Sequence, residues 1–509
     1  MTRGTFTGLL AASTARRPWA SWTAATAWGA SAGLAAAAGL SIAAGLADLV
    51  GNGDDTALLV ATGAVMGLLG VALFTRVGQP DRVRAADVLA ATTFALATMM
   101  VLVAVLYLLT GATRRVDDAL FEAASGVTTT AFSVIDPAGL GYGLLFLRAG
   151  SQWVGGFAAL VLGIAVLPFC GFAQEFTDRS RFGGSRPLAP TQRVAIRNIA
   201  LLYVPVSLTV WIAYALVGVG PFDGLLLAMS TVSTGGFTGA GGTFDDPAVQ
   251  WVAIVAMLLA GTSLVVLWRL AVGRARGLLG STDLQVYLGM HVVAVVLLLA
   301  WSGASGLAGV RRALFTVASS ISTTGFALDS LDGWATATPV LLLLLVSVGA
   351  MSGSASGGFQ ILRHRALLKL ALREMVRQLH PRAVARIRMS GRITDEDTLR
   401  QIVVLQFLFV AVVFGTGFVV AALGLDLATA ISAGVHATAT AGPVRALDGT
   451  VIEVASWSRP IRMALVPAML FGRLSIYPAV LAVAGLATVI RNRVRLGRRL
   501  RAARHRGVE

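Results

Sequence analysis

Apolar residues in this chain run in long blocks. Blocks of about 20 residues, enough to cross a ~30 Å hydrocarbon core as a helix, begin near Ala24, Ala57, Ala86, Leu144, Asn198, Ala248, Val286, Thr338, Ile402 and Arg462. The pattern predicts an all-α polytopic membrane protein of about ten spans. The first apolar run is long and the next follows closely, which predicts a span and not a cleavable signal peptide.

Between the blocks lie shorter apolar stretches that end in hydroxylated residues. "DALFEAASGVTTTAFS" (118–133), "DGLLLAMSTVSTGGFT" (223–238) and "RALFTVASSISTTGFA" (312–327) align without gaps. Each places Ala131, Gly236 or Gly325 thirteen positions after its charged opener and a phenylalanine next: Phe132, Phe237 or Phe326. A weaker fourth copy, "DLATAISAGVHATATAGPVR" (426–445), puts Gly442 before Pro443 at a spacing three residues longer. A single Ser/Thr/Gly stretch is what helix-packing motifs look like in membranes. Three gap-free copies with a phenylalanine in register point instead to an internal repeat.

Ten helical residues rise only ~15 Å, half the hydrocarbon thickness. Asp118, Asp223 and Asp426 are expected N-caps that set negative charge at a helix's positive end. A half-helix followed by irregular backbone cannot face lipid, because its unpaired N–H and C=O groups would cost several kcal/mol each. Four copies, each between two spans, therefore predict four re-entrant loops around one axis, with carbonyl ends pointing inward to favour a cation. Partly dehydrating an alkali cation takes a ring of oxygens, and backbone carbonyls supply one without a fixed charge that would trap the ion. Glycine eases that arrangement because it accepts φ > 0.

Composition supports the class. The chain has 509 residues, 56% hydrophobic and 13% charged, too little charge to cover a soluble protein of this size. The net charge of +16 is placed between spans. The basic segments 76–84, 179–197, 269–276, 363–400 and 491–506 all fall on the side that Arg3, Arg16 and Arg17 would make cytoplasmic. This is the positive-inside pattern, with a basic tail against anionic headgroups; no nucleic-acid role is expected. The lone Cys170 cannot form an intramolecular disulfide. No His/Cys/carboxylate set has metal-ligand spacing, and neither a P-loop nor a GxGxxG follows a strand pattern. His436 and His291 read as helix-packing residues, and Arg148 as a span-end arginine reaching for the interface.

The four loops resemble those of the Trk/Ktr/HKT superfamily of potassium and sodium transport proteins, which read approximately TTTG, STGG, TTTG and N-x-G-P. "SQWVGGFAALVLGIAVLP" (151–168), "MSGSASGGFQILR" (351–363) and "FGRLSIYP" (471–478) are similar to further Trk-branch segments, in order, over about residues 86–489. The resemblance implies four helix–pore loop–helix repeats around one pseudo-fourfold pore, plus two extra amino-terminal helices. The expected divisions are 1–85 (basic segment and extra helices), 86–175, 190–275 and 284–375 (repeats 1 to 3, the third with a broken second helix), 376–400 (basic linker), 401–490 (repeat 4) and 491–509 (tail).

It also implies roles. The K⁺ or Na⁺ filter would comprise Thr128, Thr129, Thr130, Ala131, Ser233, Thr234, Gly235, Gly236, Thr323, Thr324, Gly325, Thr440, Ala441 and Gly442. The gate below it would comprise Gly353, Ser354, Ser356, Gly357 and Gly358 with Arg473, a cation facing the permeation path. A run of small residues at 352–358 is a plausible helix break on its own account, and a lone arginine in an apolar run is expensive unless paired or wet. The transported ion is the only ligand implied, with no covalent cofactor and no enzymatic chemistry. The implied setting is a bacterial plasma membrane with a cytoplasmic N-terminus, a homodimer in the lipid bilayer, and a cytosolic nucleotide-binding regulatory subunit.

Four departures qualify these expectations. Ala131 stands where the family has Gly, and plant members with Ser there are associated with sodium preference. The fourth loop lacks the usual Asn and carries Arg445, expected to pair with Asp136, Asp329 or Asp426 or else to repel cations at the mouth. Gln360 replaces a common Lys, and Ser475 replaces the Glu of G-R-L-E. The functional expectation is monovalent cation uptake, potassium first. The alternatives are a sodium-permeable or non-selective member and a non-conducting regulatory homologue.

Overall fold

The computed structural model describes residues 18–77, 85–167, 192–239, 243–273, 281–302, 306–328, 334–382, 386–389, 392–446, 448–485, 487–488 and 491. Cys170, the amino-terminal arginines and most of the tail lie outside them, as do parts of the basic segments 76–84, 179–197 and 269–276.

Helices α1 (Pro18–Val50) and α2 (Thr56–Val77) form an amino-terminal hairpin, and α1 packs on α3 (Ala85–Leu109) and α5 (Tyr142–Val161). Small residues permit the close crossing: a Cβ on Gly29 would collide with the Ala91 carbonyl. The buried Asp48 carboxylate fastens the hairpin's turn to repeat 1, accepting from the N–H groups of Asp55 (3.0 Å) and Gly143 (3.1 Å) and from the Thr56 hydroxyl (3.1 Å).

Four helix–half-helix–helix units follow. Repeat 1 is α3, the half-helix α4 (Val116–Thr128) and α5. Repeat 2 is α6 (Gln192–Leu216), α7 (Pro221–Val232) and α8–α9 (Pro247–Ala260, Leu264–Ala271). Repeat 3 is α10 (Thr282–Ser302), α11 (Gly306–Ser322) and α12–α13 (Thr338–Val348, Ile361–Leu379). Repeat 4 is α14 (Glu396–Ala422), α15 (Leu427–Ala439) and α16–α17 (Arg459–Arg473, Tyr477–Gly485). The second helix of each repeat packs on the half-helix of the next: α5 on α7, α8 on α11, α12 on α15, and α16 back on α4. That cyclic hand-over closes the units around a centre.

Among the described residues seven helices are long and apolar enough to span, and the second helices of repeats 2 to 4 are interrupted. The break expected in repeat 3 is present between Val348 and Ile361. Two more were not expected: α8 and α9 meet at 105°, and α16 and α17 at 112°. In repeat 1 the second helix stays continuous but widens to a π-helix over Leu162–Val166, the kind of local irregularity often found at functional sites.

The N-cap expectation needs correction. Only Asp426 caps its helix, accepting from the Thr429 N–H at 2.9 Å. The caps of α4 and α7 are Arg115 and Gly220, so Asp118 and Asp223 sit at the third helical position. They still face the helix's positive end, but as first-turn charges. This removes the apparent irregularity of the fourth copy. The third helical residue there is Thr429, and Gly442 lies thirteen residues after it, the spacing of the other copies.

Candidate functional site

Each half-helix ends in an unusual backbone state at the same register. Thr129, Thr234, Thr323 and Thr440 have φ of 57°, 54°, 58° and 50°. A left-handed conformation is an outlier for a β-branched residue and costs about 1–2 kcal/mol. Four such outliers in register mark a place where the surroundings over-determine the backbone. Two residues on, Ala131, Gly236 and Gly325 are left-handed again (63°, 83°, 81°). Thr129, Thr130, Thr234, Thr323, Thr324 and Thr440 are wholly buried, so none faces lipid.

The four loops meet. A Cβ on Gly236 would collide with the Thr324 carbonyl oxygen and lie 2.8 Å from the Ala131 methyl. On Gly325 it would strike the backbone of Gly442. On Gly442 it would lie 2.8 Å from the Thr130 carbonyl oxygen and 2.9 Å from the Ala131 methyl. Repeat 1 thus touches 2, 2 touches 3, 3 touches 4 and 4 touches 1. The glycines are there because neighbouring carbonyls occupy the space a side chain would need. The Ala131 methyl is wedged between Gly236 and Gly442 in the same ring.

Charged and polar side chains hold the loops from behind. Arg148 was expected to reach for the interface. It is instead buried, paired with the fully buried Glu122 at 3.0 Å, bonded to the Ser133 hydroxyl at 2.8 Å and stacked 4.4 Å above the Phe237 ring. Glu122 also accepts from the Val134 N–H at 2.8 Å, fixing the backbone just past Ala131. Gln152 donates to the Gly235 carbonyl (2.8 Å) and accepts from Phe237 N–H (3.2 Å) and Ser230 (3.0 Å). His436, read from the sequence as packing, has Nδ1 2.6 Å from the Ala441 carbonyl; a carbonyl only accepts, so Nδ1 carries the proton. His291 is a packing residue as expected, its Nδ1 on the Tyr287 carbonyl one turn back at 2.8 Å.

The interruption in repeat 3 lies against the ring. The Thr323 hydroxyl accepts from Gly357 N–H (2.8 Å), the Ala439 carbonyl accepts from Gly358 N–H (3.1 Å), and the Thr234 hydroxyl donates to the Ala355 carbonyl (3.0 Å). Arg473 is buried at the end of α16 and donates to that same Ala355 carbonyl at 2.9 Å; its other guanidinium nitrogens, Nε and Nη2, have no partner among the described residues. It does not reach for the interface. Ser354 and Ser356 bond each other at 2.7 Å. The unexpected bend in repeat 2 joins this loop: Leu264 N–H donates to the Gly353 carbonyl (2.9 Å) and Met351 N–H to the Gly261 carbonyl (3.2 Å). A cavity of about 30 Å³ remains among Gly353, Ser356, Gly358, Gln360, Arg473 and the π-helix residue Gly163, room for one or two waters.

Arg445 does not form the expected pair with Asp136 or Asp426; Asp329 lies outside the described residues. Its guanidinium donates to the Gly449 carbonyl at 2.9 Å. Among the described residues it has no carboxylate partner.

Residues 61–488 match the TrkH family, described as cation transport proteins. The chain belongs to this family. It is 30% identical over 371 residues to the Trk system potassium uptake protein TrkI of Halomonas elongata, covering 70% of this chain and 75% of the relative. It is 28% identical over 376 residues to the Trk system potassium uptake protein TrkH of Escherichia coli K12, covering 71% and 77%. The crystal structure of the potassium transporter TrkH from Vibrio parahaemolyticus has the same fold, with a TM-score of 0.81 over 90% of this chain and 98% of that one at 23% identity. In this TrkH-family chain, sequence reasoning missed Glu122, Gln152, His436 and the Gly261 bend. Glu122 alone carried a signal, as an acidic residue inside a half-helix otherwise too apolar to hold one.

Proposed function

We propose that this chain is the membrane subunit of a potassium uptake system, passing K⁺ down its electrochemical gradient through the ring formed by the four loops. The observation that carries this reading is the set of four buried left-handed threonines at one register. No packing role calls for the same strained backbone four times, whereas a ring of convergent carbonyls does. The names of the relatives, potassium uptake proteins, support the same ion. Thr128 to Ala131, Ser233 to Gly236, Thr323 to Gly325 and Thr440 to Gly442 would line the filter. The loop at 352–358 would be the gate, with Arg473 setting a positive charge beneath it. The reading is a transport one, without bond-making chemistry.

Further parts of the proposal are a bacterial plasma membrane with the N-terminus inside, a homodimer, and a cytosolic nucleotide-binding subunit meeting the basic segment 363–400. The repeat divisions 86–175, 190–275, 284–375 and 401–490 belong to it as well. Flux of ⁸⁶Rb⁺ and ²²Na⁺ into proteoliposomes under matched gradients tests it. Rb⁺ uptake exceeding Na⁺ uptake supports potassium transport; equal uptake supports a non-selective pore. A second reading, a non-conducting regulatory homologue, is favoured by the Ala131 methyl inside the ring and by Arg445 without a carboxylate. Absence of flux of either ion from folded protein overturns the transport reading in its favour.

A further inference from the structure

The ring is not built alike in its four quarters. One residue before the glycine position stand Thr130, Gly235, Thr324 and Ala441. In repeats 1 and 3 this residue is a threonine whose hydroxyl bonds the hydroxyl two residues earlier: Thr130 to Thr128 and Thr324 to Ser322, both at 2.7 Å. Their carbonyl oxygens lie against the neighbouring loops, at Gly442 and Gly236 respectively. In repeats 2 and 4 the residue has no hydroxyl. Its carbonyl is held by a side-chain donor from behind: Gln152 Nε2 on Gly235 at 2.8 Å, and His436 Nδ1 on Ala441 at 2.6 Å. The two donors differ in residue type and come from different elements, α5 and α15, yet they do the same thing at opposite sides of the ring.

The donors are also well fixed. Gln152 is fully buried, and its amide orientation is forced, because its oxygen accepts from the Phe237 N–H and the Ser230 hydroxyl. The His436 tautomer is forced by the carbonyl it meets. A carbonyl that accepts such a bond has a fixed direction and less lone-pair density to offer an ion.

Resting on the transport reading above, we propose that Gln152 and His436 are positioning residues that set ion preference by fixing the Gly235 and Ala441 carbonyls. Released, those two oxygens become mobile, and a flexible ring closes more readily on the smaller Na⁺ than a rigid one does.

The test uses full-length protein in liposomes, with the Rb⁺-to-Na⁺ flux ratio as readout. His436→Leu and Gln152→Glu, which remove the donors, are expected to lower the ratio about threefold to tenfold each, the factor that one hydrogen bond of typical strength corresponds to. His436→Gln, whose amide can donate to the same oxygen, recovers most of it. Thr324→Val, which removes a hydroxyl but no carbonyl donor, changes total flux more than the ratio. Size-exclusion elution at the wild-type position qualifies each variant; should His436→Leu or Gln152→Glu fail it, His436→Phe and Gln152→Met take their places. If folded donor-less variants keep the wild-type ratio, or if His436→Gln behaves like His436→Leu, the positioning assignment is wrong while transport stands. If wild-type protein passes neither ion, the transport reading falls and this one with it.

Discussion

Replacing Arg148 by Met should destabilise the protein by about 3–5 kcal/mol, the cost of stranding one member of a buried ion pair. The figure is high because Glu122 is wholly buried and Arg148 nearly so. Without the guanidinium, the Glu122 carboxylate keeps only the Val134 N–H and the Ser133 hydroxyl, neutral donors that cannot offset a full charge out of water. Glu122→Gln alone should cost about 1–3 kcal/mol, since its amide can still accept from Val134 while Arg148 loses its counter-charge but keeps Ser133 and the Phe237 ring. Combining the two leaves no charge at the site. The double variant should therefore be at least ~1 kcal/mol more stable than the sum of the single losses predicts, within the range for residues in contact. Unfolding in detergent, followed by circular dichroism during titration with dodecyl sulfate, measures all three against wild type. Additivity within about 0.5 kcal/mol would refute the claim that these side chains act as a buried pair.

Three further outcomes follow from the site. Ala131→Gly relieves a left-handed alanine and removes the methyl between Gly236 and Gly442; stability should rise by about 1 kcal/mol and the Rb⁺-to-Na⁺ flux ratio should increase, checked by the same unfolding and liposome assays. Arg445→Ala removes a cation that has no carboxylate partner among the described residues, three residues past Gly442 in the fourth loop. Cation flux should increase at low ionic strength, and the gain should shrink at high salt as charge is screened. Gly472→Ala drives a Cβ into the Thr438 carbonyl of the fourth half-helix; both flux and stability should fall, whereas Gly415→Ala, with open space around it, should alter neither.

The large-scale plan was legible because it rests on strong, local signals. Apolar blocks at Ala24 through Arg462 had the right length, and "TTTAF", "STGGF" and "STTGF" repeated at a fixed distance from a charge. The 352–358 interruption was legible for the same reason, since a run of Gly and Ser weakens a helix wherever it stands. The fourth copy was misjudged because Asp426 is a true cap and its counterparts are not, a difference of three residues that only backbone conformation reveals. The bend after Ala260 escaped notice because no proline marks it, and the one after Arg473 although Pro478 stands just beyond it; each is stabilised by contacts from a distant repeat, as when Gly261 and Leu264 bond the 351–353 backbone and Arg473 bonds the Ala355 carbonyl. Arg148 and His436 were read singly, as side chains on helices, and Gln152 was passed over. Their meaning depends on what comes near them in space: Glu122, 26 residues away, and Gly235, 83 residues away.

The Ala355 oxygen is shared by Thr234 above and Arg473 below. On the proposed reading, sieve and door would therefore share a hinge pin. A movement that swings the door out of the ion's way would let go of that threonine, and so briefly slacken the sieve just as traffic begins. A channel assembled in this manner would be at its least discriminating in the instant of opening.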